Sequence, residues 1–461
     1  MAQPTTRLQV SGHRFLARRM EHALVRGDVR MIDDPLRAQS LSLAAGAVLA
    51  AIAVTACAVL AFVRPGGSLG DAPIVVARES GAMYARVDGV LHPVVNLASA
   101  RLIVGSAAEP RVVSQRAIDG ADRGPQMGIP GAPARISPPL PAGEAVWTVC
   151  DDEDGRTTVT VGPDADTAPG SSVLVTPRGG SAAETYLLHD GWRARVDLRH
   201  PAVVRALRID GVVPQQISPI VLDAIPEAPA IEPPRIPDVG TPGPAALSGR
   251  PVGTVVKVPQ ADGGAADYYV VLADGLQRIG EVAADLIRYT DGRIREEIPA
   301  VSADVVGALP VITSLPVATF PDSGGVDAAP VVCAQWNPEP GDTASHTTIL
   351  AAGEVPGVRP VALAQADGDG PALDGVAVPA GRSAFVQSVG VTGAGENTAS
   401  LFLVTDSGVI HGMWDADTAA VLGLAGPPVP APWPVLARLP RGPELSRRAA
   451  SVAGDVIGTS P

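Results

Sequence analysis

Lysine is almost missing from this chain: of 35 basic residues in 461, only Lys257 is one. A phosphate-cradling P-loop needs a glycine run ending in Lys followed by Ser or Thr. Lys257 stands in GTVVKVP, so a nucleotide site of that kind is excluded. The seven histidines (13, 22, 92, 189, 200, 346 and 411) show no zinc-ligand spacing, and no HExxH occurs. His92, His189 and His411 fall near hairpin turns and read as exposed strand residues. The run Asp151-Asp152-Glu153-Asp154-Gly155 lacks the alternating ligands and distant Glu of a calcium loop and reads as a solvated hairpin tip. Gly66-Gly67-Ser68-Leu69-Gly70 matches GxSxG without the strand-to-helix setting of a nucleophile elbow. No catalytic residue, cofactor or metal ligand is therefore expected. Positive charge is also short: the net charge of −13 argues against a nucleic-acid partner. Aromatics make up 3%, whereas Gly (50) and Pro (46) are abundant, which favours short strands and fixed turns over long helices.

What is present begins with LSLAAGAVLAAIAVTACAVLAFV, 23 uncharged residues at positions 41–63. About 20 apolar residues in a helix cross a bilayer core. A signal peptide has a shorter core near its start, and forty residues precede this one. Val54-Thr55-Ala56-Cys57 has the outline of a lipobox. The run stays apolar for six residues beyond Cys57, so that residue reads as a small apolar helix position. Residues 1–40 hold seven arginines against four acids, and basic flanks stay cytosolic. The expectation is one uncleaved span, with a cytosolic N-terminus and an acidic exported body. Within the head, Phe15, Leu16, Met20, Leu24 and Val25 recur at helical spacing, with Arg14, Arg18, Arg19 and Arg26 largely opposite. A basic amphipathic helix over residues 7–30, capped by Ser11, follows; it lies on anionic lipid or docks onto another subunit.

Four stretches of the body share one plan, starting at Met83, Tyr186, Tyr268 and Leu401. Each has an apolar strand, a turn at Asp88-Gly89, Asp190-Gly191, Asp274-Gly275 or Asp406-Ser407-Gly408, a second strand, a capped helical turn and a proline-punctuated tail. One such unit cannot bury its own apolar face, so the four must pack on each other or on a common centre. The intervals between turn glycines are uneven, and the extra material holds Cys150 and Cys333, each three residues from a tryptophan, Trp147 and Trp336. In an oxidising compartment this lone pair is most simply a disulfide, two separate buried thiols being the alternative. The expected fold is a single N-terminal transmembrane helix plus a mixed α+β, β-rich body of four strand-turn-strand-helix repeats around a central disulfide-linked subdomain. Repeats one and two flank the first central segment, and repeats three and four flank the second, in a pseudo-twofold body. The expected boundaries are head 1–40, span 41–63, stalk 64–73, repeats 74–134, 171–232, 251–318 and 381–445, central segments 135–170 and 319–380, linker 233–250 and tail 446–461. Residues 225–244 read as a stiff Pro-rich connector or a disordered linker.

The head TTRLQVSGHRFLARRMEHALVRGD, the single span, LHPVVNLASARLIVG, the Cys150 and Cys333 pair and the terminal GPELSRRAA together resemble EccB, the membrane-anchored core component of actinobacterial type VII (ESX) secretion systems. The resemblance spans essentially the whole chain. It implies an inner-membrane, single-pass subunit with a periplasmic body, partnered by the EccC motor ATPase, EccD, EccE and a mycosin protease, and self-associating. The residues carried over for docking to EccC and EccD are Phe15, Leu16, Arg18, Arg19, Met20 and Leu24. Two further functions follow from the resemblance alone: the ATPase activity sometimes credited to the family, and cell-wall contact through the repeats.

Overall fold

The computed structural model describes residues 6–27, 35–63, 69–163, 172–179, 184–260, 264–290, 297–338, 345–393, 400–424 and 426–454. Gly66, Gly67, Ser68 and the end of the tail lie outside them. The chain divides into two units, residues 1–70 with 113–118, which hold the N-terminal helices, and residues 71–112 with 119–461, which hold nearly all of the strands.

In the first unit, α1 (Arg7–Arg26) starts at Thr6, whose backbone N–H donates to the Gln9 side chain at 3.0 Å, and stops at Gly27 with φ +63°. Thr6, and not Ser11, opens the helix: Ser11 already lies inside it. Helix α2 (Pro35–Val63) contains Gln39–Leu60, a stretch of 22 residues that is long and apolar enough to cross a membrane and buries nothing against protein.

The second unit opens with β1 (Ile74–Ala77), β2 (Met83–Val87), β3 (Val90–Val94), α3 (Leu97–Val104) and β4 (Gln126–Met127), the first repeat. The first central segment is β5 (Val146–Asp152) and β6 (Thr157–Gly162). The second repeat is β7 (Val173–Pro177), β8 (Tyr186–His189), β9 (Trp192–Val196), α4 (Pro201–Ala206), β10 (Gln215–Ile217), α5 (Pro219–Asp223) and β11 (Glu227–Ile231). The third is β12 (Val255–Val258), β13 (Asp267–Leu272), β14 (Gly275–Ile279) and α6 (Glu281–Thr290). The second central segment supplies β15 (Val331–Pro338), β16 (Ser345–Ala352), β17 (Val361–Ala362) and β18 (Gly375–Ala377). The fourth repeat is β19 (Ala384–Val389), β20 (Leu401–Val404), β21 (Ile410–Met413), α7 (Ala416–Leu422), β22 (Val429–Pro432) and α8 (Trp433–Leu436), followed by α9 (Arg447–Ala450) and β23 (Ala453–Gly454).

Turn chemistry sets each hairpin. Asp88 and Gly89 take φ +51° and +86°, and Asp190 and Gly191 take +44° and +79°, the paired positive angles of a two-residue I′ turn. The third repeat departs from this. Leu272 pairs directly with Gly275, so the turn residues are Ala273 and Asp274, neither with positive φ. Gly275 is instead needed for space, because a Cβ there would meet the Pro310 carbonyl oxygen at 2.3 Å.

That contact belongs to a feature common to all four repeats. The proline-punctuated tail returns alongside the second hairpin strand, running parallel to it. Leu91, Arg193, Leu276 and Ile410 donate their backbone N–H to the carbonyls of Asp122, Pro226, Pro310 and Pro440 at 2.8, 3.0, 2.8 and 2.9 Å. In the second repeat this return is β11, so the early part of the Pro-rich stretch 225–244 is a strand of that sheet and neither a free connector nor a disordered linker. The remainder is ordered too, with Gly240 and Gly243 donating to Val252 and Arg250.

The six-stranded central sheet runs β16-β15-β5-β6-β18-β17 and draws on both distant segments. The two segments meet in the antiparallel β5/β15 pair, where Cys150 lies opposite Cys333 and Trp147 opposite Trp336. A spacing of three puts Trp and Cys on opposite faces of each strand. The tryptophans enter the main core with Val149, Val159 and Ile349, and the cysteines enter a small second cluster with Leu350. That main core also takes in side chains of repeats two and four, such as Val221 and Leu436. Repeats two and three share another core, including Val203, Leu207, Val282 and Leu286. Repeats one and four share a third, including Leu102, Phe385, Leu403 and Leu422.

Candidate functional site: the junction of the first and fourth repeats

Two of the most distinctive stretches of sequence, NLASARL and GPELSRRAA, meet in one place. Asn96 is the N-cap of α3: its Oδ1 accepts from the Ser99 N–H at 2.8 Å while its Nδ2 donates to the Ile129 carbonyl at 2.8 Å. Ser99 Oγ in turn accepts from the Ile129 N–H at 2.8 Å. The two polar side chains therefore satisfy the buried helix start and clamp the loop at Gly128, where any Cβ would press on Ser99 at 3.1 Å.

Arg101, 7% exposed, points from α3 across to the fourth repeat. It donates through Nη1 to the Leu422 carbonyl at 2.6 Å, through Nη2 to Glu109 Oε1 at 2.7 Å and through Nε to the Ala108 carbonyl at 3.4 Å. Leu422 is in the last turn of α7, where carbonyls lack helical partners and a cation is favoured. The reverse direction is also used: Arg447 of α9 sits over Gly105, the left-handed C-cap of α3, with its guanidinium 3.5 Å from where a Cβ would stand. Ser446 caps α9 by accepting from the Ala449 N–H, and Asp415 caps α7 by accepting from Thr418 N–H at 2.7 Å. The Thr418 hydroxyl, which donates to the same oxygen at 2.7 Å, and this N–H hold the Asp415 carboxyl below the ordinary carboxylate range. The chain is thus closed near its C-terminal end onto the first repeat.

A second polar hub fixes the central sheet to repeat two. Asp151, read from sequence as part of a solvated tip, is buried: it accepts from Arg178 Nη2 at 2.6 Å, the Ser218 N–H at 2.9 Å and Thr157 Oγ1 at 3.1 Å. Burial raises this carboxyl, and the three donors offset part of the rise. Only Glu153 and Asp154 match the expected exposed tip. His189 and His411 are likewise buried, not exposed, and the tail around Gly442 and Pro443 covers His411. His411 Nδ1 lies 3.0 Å from the Pro443 carbonyl, and His92 Nδ1 2.9 Å from the Pro125 carbonyl; an N–H at Nδ1 donates to each. Gln277 holds the matching place in repeat three, donating to the Leu315 carbonyl at 3.0 Å. Burial lowers both His189 and His411 below the usual imidazole range.

The remaining predicted residues stand as follows. Cys150 and Cys333 are disulfide-bonded, with Cα atoms 4.0 Å apart. Phe15, Leu16, Arg18, Arg19, Met20 and Leu24 all project from α1 into solvent. Helical spacing puts Arg7, Arg14 and Arg18 opposite the apolar side and Arg19 within it. Lys257 lies on β12, with Nζ 2.9 Å from Glu297 Oε1. Among the described residues no group of His, Cys, Asp and Glu is placed to hold a metal ion.

The family model described as type VII secretion system ESX-1, transport TM domain B, matches residues 2–459. The ESX-3 secretion system ATPase EccB3 of Mycolicibacterium smegmatis is 39% identical over 480 residues, covering 99% of this chain and 92% of that protein. The ESX-5 secretion system ATPase EccB5 of Mycobacterium marinum is 33% identical, covering 98% and 94%. Among solved structures, a chain of the intact ESX-5 inner membrane complex superposes with a TM-score of 0.70 at 30% identity, covering 100% of this chain and 98% of its own. The EccB3 dimer from the ESX-3 core complex gives 0.68 at 36% identity, covering 83% and 100%. With matches spanning head, apolar helix and body alike, the chain belongs to the EccB family of type VII secretion proteins.

Proposed function

We propose that this protein is an assembly subunit of a type VII secretion complex in the inner membrane. It supports export as a scaffold and does not itself drive it. The observation that carries the reading is the combination of one apolar helix exposed along its whole span with a large body whose polar side chains are spent on holding repeats together. In this reading the N-terminus is cytosolic and the body periplasmic. The α1 residues Phe15, Leu16, Arg18, Arg19, Met20 and Leu24 dock onto the cytosolic parts of EccC and EccD; EccE and a mycosin complete the set, and copies of the chain associate with each other. Seven exposed large apolar side chains on a helix of this length, Phe15, Leu16, Met20 and Leu24 among them, favour a protein groove as their cover, because anionic lipid alone leaves their packing unspecified. The repeats at 74–134, 171–232, 251–318 and 381–445 and the central segments 135–170 and 319–380 form the periplasmic body.

Pull-down of the tagged full-length chain from solubilised membranes, followed by mass spectrometry, tests the partners. Recovery of the chain alone overturns the reading. Protease added to spheroplasts tests orientation, with digestion of the body and protection of residues 7–26 expected. Nucleotide turnover that stays with the purified chain after removal of EccC, and that is lost in Lys257→Ala, would make the protein a hydrolase instead.

A further inference from the structure

Strands β16 and β17 are neighbours in sequence, yet they form opposite edges of the six-stranded central sheet. Residues 353–360, GEVPGVRP, therefore cross the sheet from one side to the other. They cross on the face that carries the disulfide. Val355 packs on the cluster of Cys150, Cys333 and Leu350, a Cβ at Gly357 would stand 3.3 Å from Thr160 Cγ2, and one at Gly375 would press on Pro360 at 3.0 Å. Little else holds this strap. Among the described residues none of its peptide groups or side chains makes a hydrogen bond or ion pair, and β17 beyond it has only Val361 and Ala362, both exposed. On the same face of the sheet, Thr158 Oγ1, Thr160 Oγ1 and Gln335 Nε2 are buried with no hydrogen-bond partner.

Polar atoms covered without a partner disfavour the covered state, because water would pair each of them. Lifting the strap breaks no hydrogen bond, gives up chiefly the packing of Val355 and lets water reach those three groups. The main core, with Trp147 and Trp336, lies on the other face of the sheet and is untouched. The strap is also long enough. Crossing six strands takes about 24 Å, whereas the chain from Ala352 to Val361 reaches about 30 Å, so its middle can bow about 9 Å off the sheet with both ends still paired. We infer that residues 353–360 are a lid over the Cys150–Cys333 disulfide, and that lifting it opens this bond to thiol–disulfide exchange with a small dithiol while the sheet stays folded. One thiolate of the dithiol attacks a cysteine sulfur, the S–S bond breaks, and the other cysteine leaves as a thiolate that water protonates. The second thiol of the dithiol, as its thiolate, then displaces the first cysteine from the mixed disulfide. Two electrons pass to the protein, and the dithiol leaves as a cyclic disulfide. The reverse path forms the bond in a chain that has already folded.

The test uses the full-length chain in detergent with Cys57→Ala, so that every thiol labelled afterwards comes from the disulfide. Reduction by dithiothreitol is followed by maleimide labelling and mass spectrometry, in a series of urea concentrations below the unfolding transition, while tryptophan fluorescence reports the fold. The rate should rise in proportion to dithiothreitol and hardly change with urea, because a local opening exposes little surface. In the same background Val355→Ala should speed reduction about fivefold by loosening the lid. Thr158→Val with Thr160→Val should slow it about tenfold, since two unpaired hydroxyls no longer favour the open form. Fluorescence should stay native throughout. If a variant does not fold, the urea dependence of the Cys57→Ala chain decides. Reduction that accelerates with urea as steeply as global unfolding does, or that waits until the chain unfolds, overturns the inference. Equal rates in the three folded chains overturn it as well, because the disulfide is then reached by a route that the strap does not control.

Discussion

Arg101 ties the first repeat to the fourth through a charged hydrogen bond to the Leu422 carbonyl. Replacing it by Met keeps an unbranched stem of similar bulk in α3 and removes all three donors. The ion pair with Glu109 adds little to the loss, since that carboxylate is 84% exposed and screened by water. The bond to the Leu422 carbonyl counts for more. It is short, charge-assisted and placed at a helix C-terminus, for which about 1.5–3 kcal/mol is typical, and the carbonyl left behind has no second partner among the described residues. With the longer contact to Ala108 added, Arg101→Met should cost about 2–4 kcal/mol. Arg101→Lys, which keeps the charge and one bond but not the fork, should recover roughly half of that. With a urea m-value of about 3 kcal/mol/M, the Met variant should unfold about 1 M earlier.

The assay is urea denaturation of the full-length protein in detergent, followed by tryptophan fluorescence, with Glu109→Gln as the control expected to shift by less than about 0.5 kcal/mol. Two outcomes refute the reasoning. If Arg101→Met and wild type unfold together, the buried guanidinium is not holding the repeats. If Glu109→Gln is as damaging as Arg101→Met, the ion pair dominates, and screening has been misjudged.

Replacing both cysteines by Ala removes a closure between positions 183 residues apart and should cost up to about 5 kcal/mol in equilibrium unfolding. Because both sulfurs are buried, reductant should act on the native protein no faster than it opens, as read by thiol labelling over time. Stability should fall as pH drops below about 6.5, because unfolded histidines take up protons there while His189 and His411, with lowered folded values, resist them. His411→Gln, which copies the Gln277 of repeat three, should remove its share of that slope in melts between about pH 7.5 and 5.5. Gly89→Ala and Gly191→Ala make a matched pair, since both glycines sit at φ near +80° in the same turn type. A Cβ at Gly89 meets nothing, whereas one at Gly191 meets the Thr347 carbonyl oxygen at 2.1 Å. The first should cost about 1 kcal/mol and the second more than about 2, and equal thermal shifts would contradict the packing.

Much of the architecture is legible because its signals are local. Asp-Gly turns at 88–89 and 190–191 give the angles that their composition implies, and the matched Trp and Cys spacing in two distant segments anticipates the Trp147/Trp336 and Cys150/Cys333 register. The histidines mislead for the opposite reason. What buries His411 lies 32 residues on, and no periodicity around it reports that. Asp151 likewise looks like the first residue of an acidic run, and only Arg178 and Ser218, from another sheet, make it a buried hub. The exposed apolar residues of α1 are legible as a helical pattern, but the sequence around them carries no signal of what covers them.

The proline tails show most clearly why composition alone misleads. Proline reads as a breaker because it has no N–H and so cannot serve a ladder from both sides. In repeats two, three and four the tail asks of it only a carbonyl: Pro226, Pro310 and Pro440 accept from Arg193, Leu276 and Ile410, while the donors facing back come from other residues such as Ile312 and Gly442. At an edge strand pairing on one side, proline therefore keeps the useful half of its peptide group and offers nothing to an outside strand. A repeat built this way ends its own sheet. In repeats two, three and four the same residues that obscure the strand in the sequence leave no donor for an outside strand at those positions, whereas in the first repeat the tail strand β4 is covered by β23.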